Sequence, residues 1–363
     1  VIAIALLGFG AAGTCLSLLR VWLMRRFASF LPLLMCLSAA AMALAVRVAQ
    51  SDGVRFDSLR LFTGAGELGK LLLTSGVYLV PVFLAALAVG MLFVREAGRI
   101  ARLYFWNLGG SAAGGALMTG LMWSFAPALL PGLAAVPALI AGLLVLPEGL
   151  RGPVRAMTGT SPAVGTGSTG QDARAGERVG DRRPGRERQV ALFAAVSLAA
   201  AAVAFGVIRP PGAVLSEYKT LSRALHLPAG RITAERPTPA GLMQRFSSPA
   251  LRFAPGLSLT WEGSVPGGSA LFNNGDWFGA VISPRESAFL DHTTGALAYV
   301  LAEPEKVLIL DAGSLSLVSQ AINRGAGRIT AVEHHPAVLP LIAGGPAAEN
   351  GDTLFPPNVS IHT

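Results

Sequence analysis

The chain has 363 residues, 52% of them hydrophobic and 14% charged, with a mean hydropathy of +0.54. Soluble domains carry about 25% charged residues, so a lipid-facing surface accounts for the deficit better than a large water-soluble core. The formal net charge is +8, but no basic patch with interleaved aromatics accompanies it, which excludes nucleic acid as a partner and leaves membrane topology as the role of the basic residues.

A membrane-spanning helix takes about 20 mostly apolar residues. Val1–Leu19 fits and is closed by Arg20, Arg25 and Arg26. Phe30–Val46 is second. Leu71–Val94 is third and runs into Arg95, Arg99 and Arg102. Leu103–Phe125 and Ala128–Leu146 are fourth and fifth, with Pro127 and Pro131 marking the turn between them. The fourth contains Gly110 and Gly114, a small-xxx-small pair that permits close helix contact, and Asn107, read as an interhelical hydrogen bond or a functional polar group. Cys15 and Cys36 lie inside apolar runs as small packing residues and leave no disulfide framework and no thiolate metal site.

Residues 1–147 are thus predicted to hold about five transmembrane helices. The stretch 148–189, rich in Gly, Ser, Thr, Pro and Arg, cannot bury enough apolar area to fold and is expected to be a disordered basic loop. A sixth span, 190–208, ends at Arg209-Pro210-Pro211. The expectation is a multi-pass protein of the cell membrane, with the lipid bilayer as its partner. Arg20–Arg26, Arg95–Arg102 and the loop arginines all favour the cytoplasmic side. Six alternating spans then carry the C-terminal part outside, unless one span is re-entrant or missing.

After Pro211 the pattern changes to period two. Arg231–Glu235, Leu242–Ser247, Ser258–Glu262 and Ala270–Asn273 read as antiparallel strands, and Asn274-Gly275-Asp276 as a hairpin turn. They form a β-rich lead-in region, 212–285. Asp291–Leu301 reads as a helix with Asp291 as its cap. Val307–Leu310 is a continuous apolar run expected to be buried on both faces. Asp311-Ala312-Gly313 is a tight turn, Ser314–Asn323 a helix closed by Gly325, and Arg328–Val332 a second strand ending in Glu333. An acidic residue about 20 positions beyond the first turn of a β-α-β unit is placed to accept from ribose hydroxyls. The same pattern equally fits a β-α-β unit without a ligand, because Ser314, Leu315 and Ser316 stand where further glycines would admit a cofactor.

The segments Leu308-Ile309-Leu310-Asp311-Ala312-Gly313 and Ala331-Val332-Glu333-His334-His335-Pro336 resemble the first β-α-β of class I S-adenosylmethionine-type folds, and most of all spermidine synthases and their membrane-bound relatives. Ser216–Ser222 with Ser248–Ser258 resembles the β-rich lead-in of those relatives, and Arg102–Gly110 their glycine-rich membrane helix. The resemblance implies a multi-pass α-helical membrane domain, a small antiparallel β region and, over 286–363, a partial α/β Rossmann-like domain of class I methyltransferase type. It further implies aminopropyl transfer from decarboxylated S-adenosylmethionine, or a related adenosyl compound, to a polyamine, without a metal. Asp311, Gly313 and Glu333 are then the cofactor contacts, and Asp291 and His292 candidate polyamine contacts. The family's catalytic Asp would follow Thr363, so this chain is expected to lack transfer activity. A non-catalytic membrane scaffold or binding protein is the alternative. A transporter fits less well, since the spans carry almost no internal charge. With few strands, the parallel unit is expected to leave one edge and one face uncovered.

Overall fold

The computed structural model describes residues 2–62, 64–150, 184–212, 214–302, 304–344 and 355–363. It divides into two compact units, 1–113 with 131–212 and 114–130 with 213–363.

The first unit is helical, as a lipid-facing chain must be when its backbone has no water to bond. Its helices are α1 (Ile2–Arg25), α2 (Phe27–Ala49), α3 (Ala65–Arg95), α5 (Leu130–Leu150) and α6 (Pro184–Ile208); α4 (Ile100–Leu121) lies between α3 and α5 in the chain. Among the described residues, four helices are long and apolar enough to cross a membrane: α1, α2, α3 and Gln189–Ile208 of α6. The expected fourth and fifth spans are not among these four. α4 is diluted by Asn107, Ser111 and glycines, and the apolar part of α5 covers only Leu130–Leu146. The basic loop expected over 148–189 lies mostly outside the described residues; at its edges, α5 continues to Leu150 and α6 starts at Pro184.

Close contacts fix the helix directions. Gly8 of α1 meets Val82 of α3, and Gly90 of α3 meets Leu16 of α1, so α1 and α3 run the same way. Phe27 of α2 lies under Arg95 of α3, while Ser38 of α2 donates to the Pro81 carbonyl at 2.8 Å, so α2 runs against α3. Gly142 of α5 meets Cys36, and Ala135 packs with Ala39 and Ala43, so α5 also opposes α2. Leu192 packs with Cys36 and Gly206 meets Ala43, so α6 runs with α2. One end of this unit therefore gathers Arg25, Arg26 and Arg95. The other holds Arg47, which stacks 4.6 Å over Phe205 and donates to the Arg209 carbonyl.

Glycine makes these approaches: a Cβ on Gly206 would stand 2.9 Å from the Ala43 carbonyl oxygen. At Gly110 and Gly114 of α4 a Cβ would meet nothing within 4 Å, and no residue of α4 is buried. The close contact expected there is made at other glycines instead.

The second unit starts with the short helix α7 (Thr220–Ala224), then β1 (Arg231–Thr238), β2 (Gly241–Ser248), β3 (Gly268–Asn273) and β4 (Asp276–Val281) in an antiparallel sheet of order β1-β2-β3-β4. Asn274 and Gly275 both take positive φ, 53° and 81°, as a two-residue type I′ turn requires. Ser258–Glu262 forms no strand; Leu257 makes a single bridge to Thr293. The expected helix over Asp291–Leu301 is broken: 3-10 turns span Ala288–His292 and Thr294–Ala296, and only α8 (Leu297–Leu301) is α-helical. Asp291 lies inside the first turn and caps no helix.

β5 (Lys306–Leu310), α9 (Ser316–Asn323), β6 (Arg328–Val332), α10 (Val338–Ala343) and β7 (Val359–His362) follow, with the strands parallel in the order β5-β6-β7. Gly325, φ 72°, ends α9; its N–H bonds the Ile322 carbonyl and that of Ala326 the Ala321 carbonyl. Ile309, Ile329 and Ala331 enter one core with Val318 of α9, Leu341 of α10, and Met243 and Leu271 of the antiparallel sheet. Buried Arg245 of β2 donates to the Leu341 carbonyl at 3.0 Å, placing a cation at the C-terminal end of α10. The opposite face of β5 is open: Leu308 and Leu310 are 64% and 68% exposed. The run expected to be buried on both faces is buried on one. Both crossover helices lie on that side, and no described residue covers the other.

Gly206→Val forces α2 and α6 apart and lowers the thermal midpoint of the full chain in detergent, at about 1–3 kcal/mol for overpacking. Gly110→Val leaves the midpoint unchanged. Equal shifts for the two would contradict the assigned helix contacts.

Candidate functional site

The chain leaves β5 through a turn with three left-handed residues, Asp311 (φ 56°), Gly313 (φ 57°) and Leu315 (φ 64°). Glycine takes this conformation freely; Asp and especially buried Leu do so at a cost on the order of 1–3 kcal/mol each. The turn is held from two sides. Ala312 N–H bonds the Val332 carbonyl at 3.0 Å. Ser314 seats against Gly279 of β4, where a Cβ would lie 2.4 Å from the serine hydroxyl.

Glu333 follows β6 and closes the arrangement. Its side chain is 0% exposed, and each oxygen accepts from a backbone amide: Gly313 N–H at 2.6 Å and His335 N–H at 2.7 Å. Its own N–H bonds the His362 carbonyl at 2.8 Å. The carboxylate thus ties the loop after β5 to the loop after β6, at the C-terminal ends of two adjacent parallel strands. Ligands of open α/β sheets bind at such ends. A buried carboxylate with two amide donors is a charge-assisted pair, stronger than neutral hydrogen bonds.

His335 is also buried, 1% exposed, with its ring edge-on to Phe278 at 5.9 Å. Its Nδ1 accepts from Ala337 N–H at 3.3 Å, which assigns the proton of the neutral ring to Nε2. Burial pushes the imidazole pKa below its ordinary value; the nearby Glu333 carboxylate pulls the other way and loses. His335 is therefore neutral at pH 7. His334 is its exposed neighbour, with Nδ1 3.1 Å from Asp311 Oδ1 and 3.7 Å from Glu333 Oε1.

Asp311, Glu333 and His334 offer donor atoms within 4.8 Å of one another, the spacing of a small cation site. Both Glu333 oxygens are already engaged by backbone amides, however, and the His334–Asp311 contact accounts for the approach of the other two. This donor set does not single out a metal.

Of the five site residues expected from the sequence, Asp311, Gly313 and Glu333 converge. Asp291 and His292 belong elsewhere. The Asp291 carboxylate accepts from Arg324 Nε at 2.8 Å and Asn323 Nδ2 at 2.7 Å, at the C-terminal end of α9. The turn at Asp311–Gly313 precedes the other end of this eight-residue helix, about 12 Å away at 1.5 Å per residue. His292 stacks on Trp261, ring centroids 4.5 Å apart. An amine seeking Asp291 would have to displace Arg324. Leu315 and His335 are the site residues that sequence reasoning missed. A left-handed leucine has no sequence signal. The pair His334-His335 was visible, but nothing local says that one is buried and the other exposed.

No protein-family model matches the chain, and neither a curated protein nor a solved structure matches it.

Glu333→Ala strands the Gly313 and His335 amides in a buried site and costs about 1–3 kcal/mol, read as a lower thermal midpoint of the full chain; Glu333→Gln, which keeps one acceptor, costs less. His335 adds a pH signature. Its folded pKa lies below the ordinary 6.5, so at lower pH the unfolded chain binds a proton that the folded chain refuses. This contribution is complete above about pH 6.5 and fades as the pH falls through the window beneath it. The midpoint drops between about pH 7.5 and about pH 5.5, and drops less in His335→Leu. Identical pH profiles would show that His335 titrates freely.

Proposed function

We propose that the chain is a multi-pass protein of the cell membrane whose second unit is a partial Rossmann-like module that binds an adenosyl compound, of which decarboxylated S-adenosylmethionine is the candidate. The observation that carries this reading is the Glu333–Gly313 hydrogen bond. It places a carboxylate and a strained, amide-presenting turn side by side at the ends of β5 and β6. Ribose hydroxyls can take over the donor role that Gly313 N–H now plays toward the Glu333 carboxylate, freeing that amide for the ligand. Backbone strain at Asp311 and Leu315 is consistent with a turn shaped for binding. The resemblance to membrane-bound relatives of spermidine synthase supplies the reaction class, aminopropyl transfer to a polyamine. Asp291, committed to Arg324, contributes nothing to amine recognition in this arrangement.

The full burial of Glu333 supports a second reading, a scaffold that keeps the fold without a ligand. In that case Glu333 is a structural clamp alone.

Calorimetry on the full chain in detergent separates the two. Saturable binding of decarboxylated S-adenosylmethionine, weakened about ten-fold or more by Glu333→Gln, is the expected outcome, since a hydrogen bond to a charged group is worth about 1.5–3 kcal/mol. Absence of binding for decarboxylated S-adenosylmethionine, S-adenosylmethionine and adenosine alike would establish the scaffold. Binding unchanged in both Glu333→Gln and Glu333→Ala would refute the assignment of Glu333.

A further inference from the structure

The helical unit contains a cavity of about 230 Å³ between α2, α3 and α5. Leu31 and Ser38 of α2, Val89 and Leu92 of α3, and Ala138 and Val145 of α5 are in its wall. Its one hydroxyl, on Ser38, already donates to the Pro81 carbonyl at 2.8 Å, so the wall presents no unsatisfied polar group there. The hollow is open on one side and apolar within, and apolar cavities of about 150 Å³ stay dry and accept hydrocarbon. Val89 is 39% exposed and marks an opening at the rim. The occupant that this chemistry admits is an unbranched hydrocarbon entering from the side.

The position of the cavity along the helices identifies what the hydrocarbon belongs to. Leu31 lies five residues beyond Arg26, about 7.5 Å along the axis, and Leu92 lies three residues before Arg95, about 4.5 Å. The opposed directions of α2 and α3 bring both basic ends to the same side of the cavity. Arg95 stacks 4.3 Å over Phe27, next to Arg26, and Arg26 lies 5.0 Å over Trp22. Trp beside Arg is the composition of a membrane–water interface. The facing charges are Arg20, Arg25, Arg26, Arg95, Arg99 and Arg102 against the one acidic residue of that stretch, Glu96, which pairs with Arg95 and Arg99 at 3.9 and 3.8 Å. A positive surplus remains within about two helical turns of a hydrocarbon-sized hollow.

We propose that this cavity holds one acyl chain of an anionic phospholipid, whose phosphate rests on Arg26 and Arg95. The hole selects the chain and the arginines select the headgroup, so neither free phosphate nor a zwitterionic lipid satisfies both halves of the site.

The test is lipid retention by the full chain in detergent, read by native mass spectrometry. The probes are phosphatidylglycerol and phosphatidylcholine with identical acyl chains. The wild type retains phosphatidylglycerol about ten-fold better, as two arginines near an anionic headgroup should secure. Ala138→Phe and Val89→Trp, which fill the cavity from different helices, each lower retention of both lipids about ten-fold while the helical circular dichroism stays intact; two variants guard against one failing to fold. Arg26→Gln combined with Arg95→Gln brings phosphatidylglycerol down to the phosphatidylcholine level. Inorganic phosphate does not displace the bound lipid. Wild-type retention in both filled variants, equal retention of the two lipids by the wild type, or displacement by inorganic phosphate would each overturn the proposal.

Discussion

A single carboxylate holds the end of the parallel sheet together. Glu333, fully buried, accepts from the amides of Gly313 and His335 and so ties the loop after β5 to the loop after β6. An ionised group removed from water is costly unless each oxygen finds a donor, and here each does. The turn it clamps contains two non-glycine residues in the left-handed region. Such a turn persists only when its surroundings over-determine it, and Glu333, Ser314 against Gly279, and the Ala312–Val332 bond do so. The link between the two loops therefore depends on one side chain, and the strained turn on three contacts together.

The helical unit rests on a different constraint. Without water, every backbone group is satisfied within a helix, and helices meet where glycine lets them. Gly206 against Ala43 and Gly142 against Cys36 set the α2–α6 and α2–α5 contacts, and those contacts fix the directions of the helices. The directions gather the arginines of α1–α2 and α3 at one end and leave Arg209 at the other, bonded to Arg47. The positive-inside rule favours the cytoplasm for the first end. The chain leaves α6 at the opposite end, so the source of any nucleotide-type ligand is a question of membrane side as much as of affinity.

Much of this was legible in the residues. The apolar runs marked α1, α2, α3 and α6 because length and hydropathy decide membrane insertion. Asn274-Gly275 marked the β3–β4 hairpin and Gly325 the end of α9, because positive φ restricts the residue choice. Arg328–Val332 and Glu333 stand where the β-α-β pattern placed them. What failed had no local signal. Ser258–Glu262 alternates like a strand but finds no neighbour to pair with. Leu308 and Leu310 are apolar yet exposed, since burial depends on what covers the sheet. The glycines of α4 look like a contact surface, while the glycines that make contact are scattered singly over α1, α3, α5 and α6. Asp291 reads as a cap or a ligand; only the fold brings Arg324 to it.

Amide hydrogen exchange at Gly313 and His335, in the full chain with and without decarboxylated S-adenosylmethionine, tests the central claim most directly. The clamp predicts that both amides are protected in the free protein and lose that protection in Glu333→Ala. It also predicts that the ligand changes exchange at Gly313 without releasing His335. Rapid exchange of both amides in the wild type, or protection that survives removal of the carboxylate, would contradict the account.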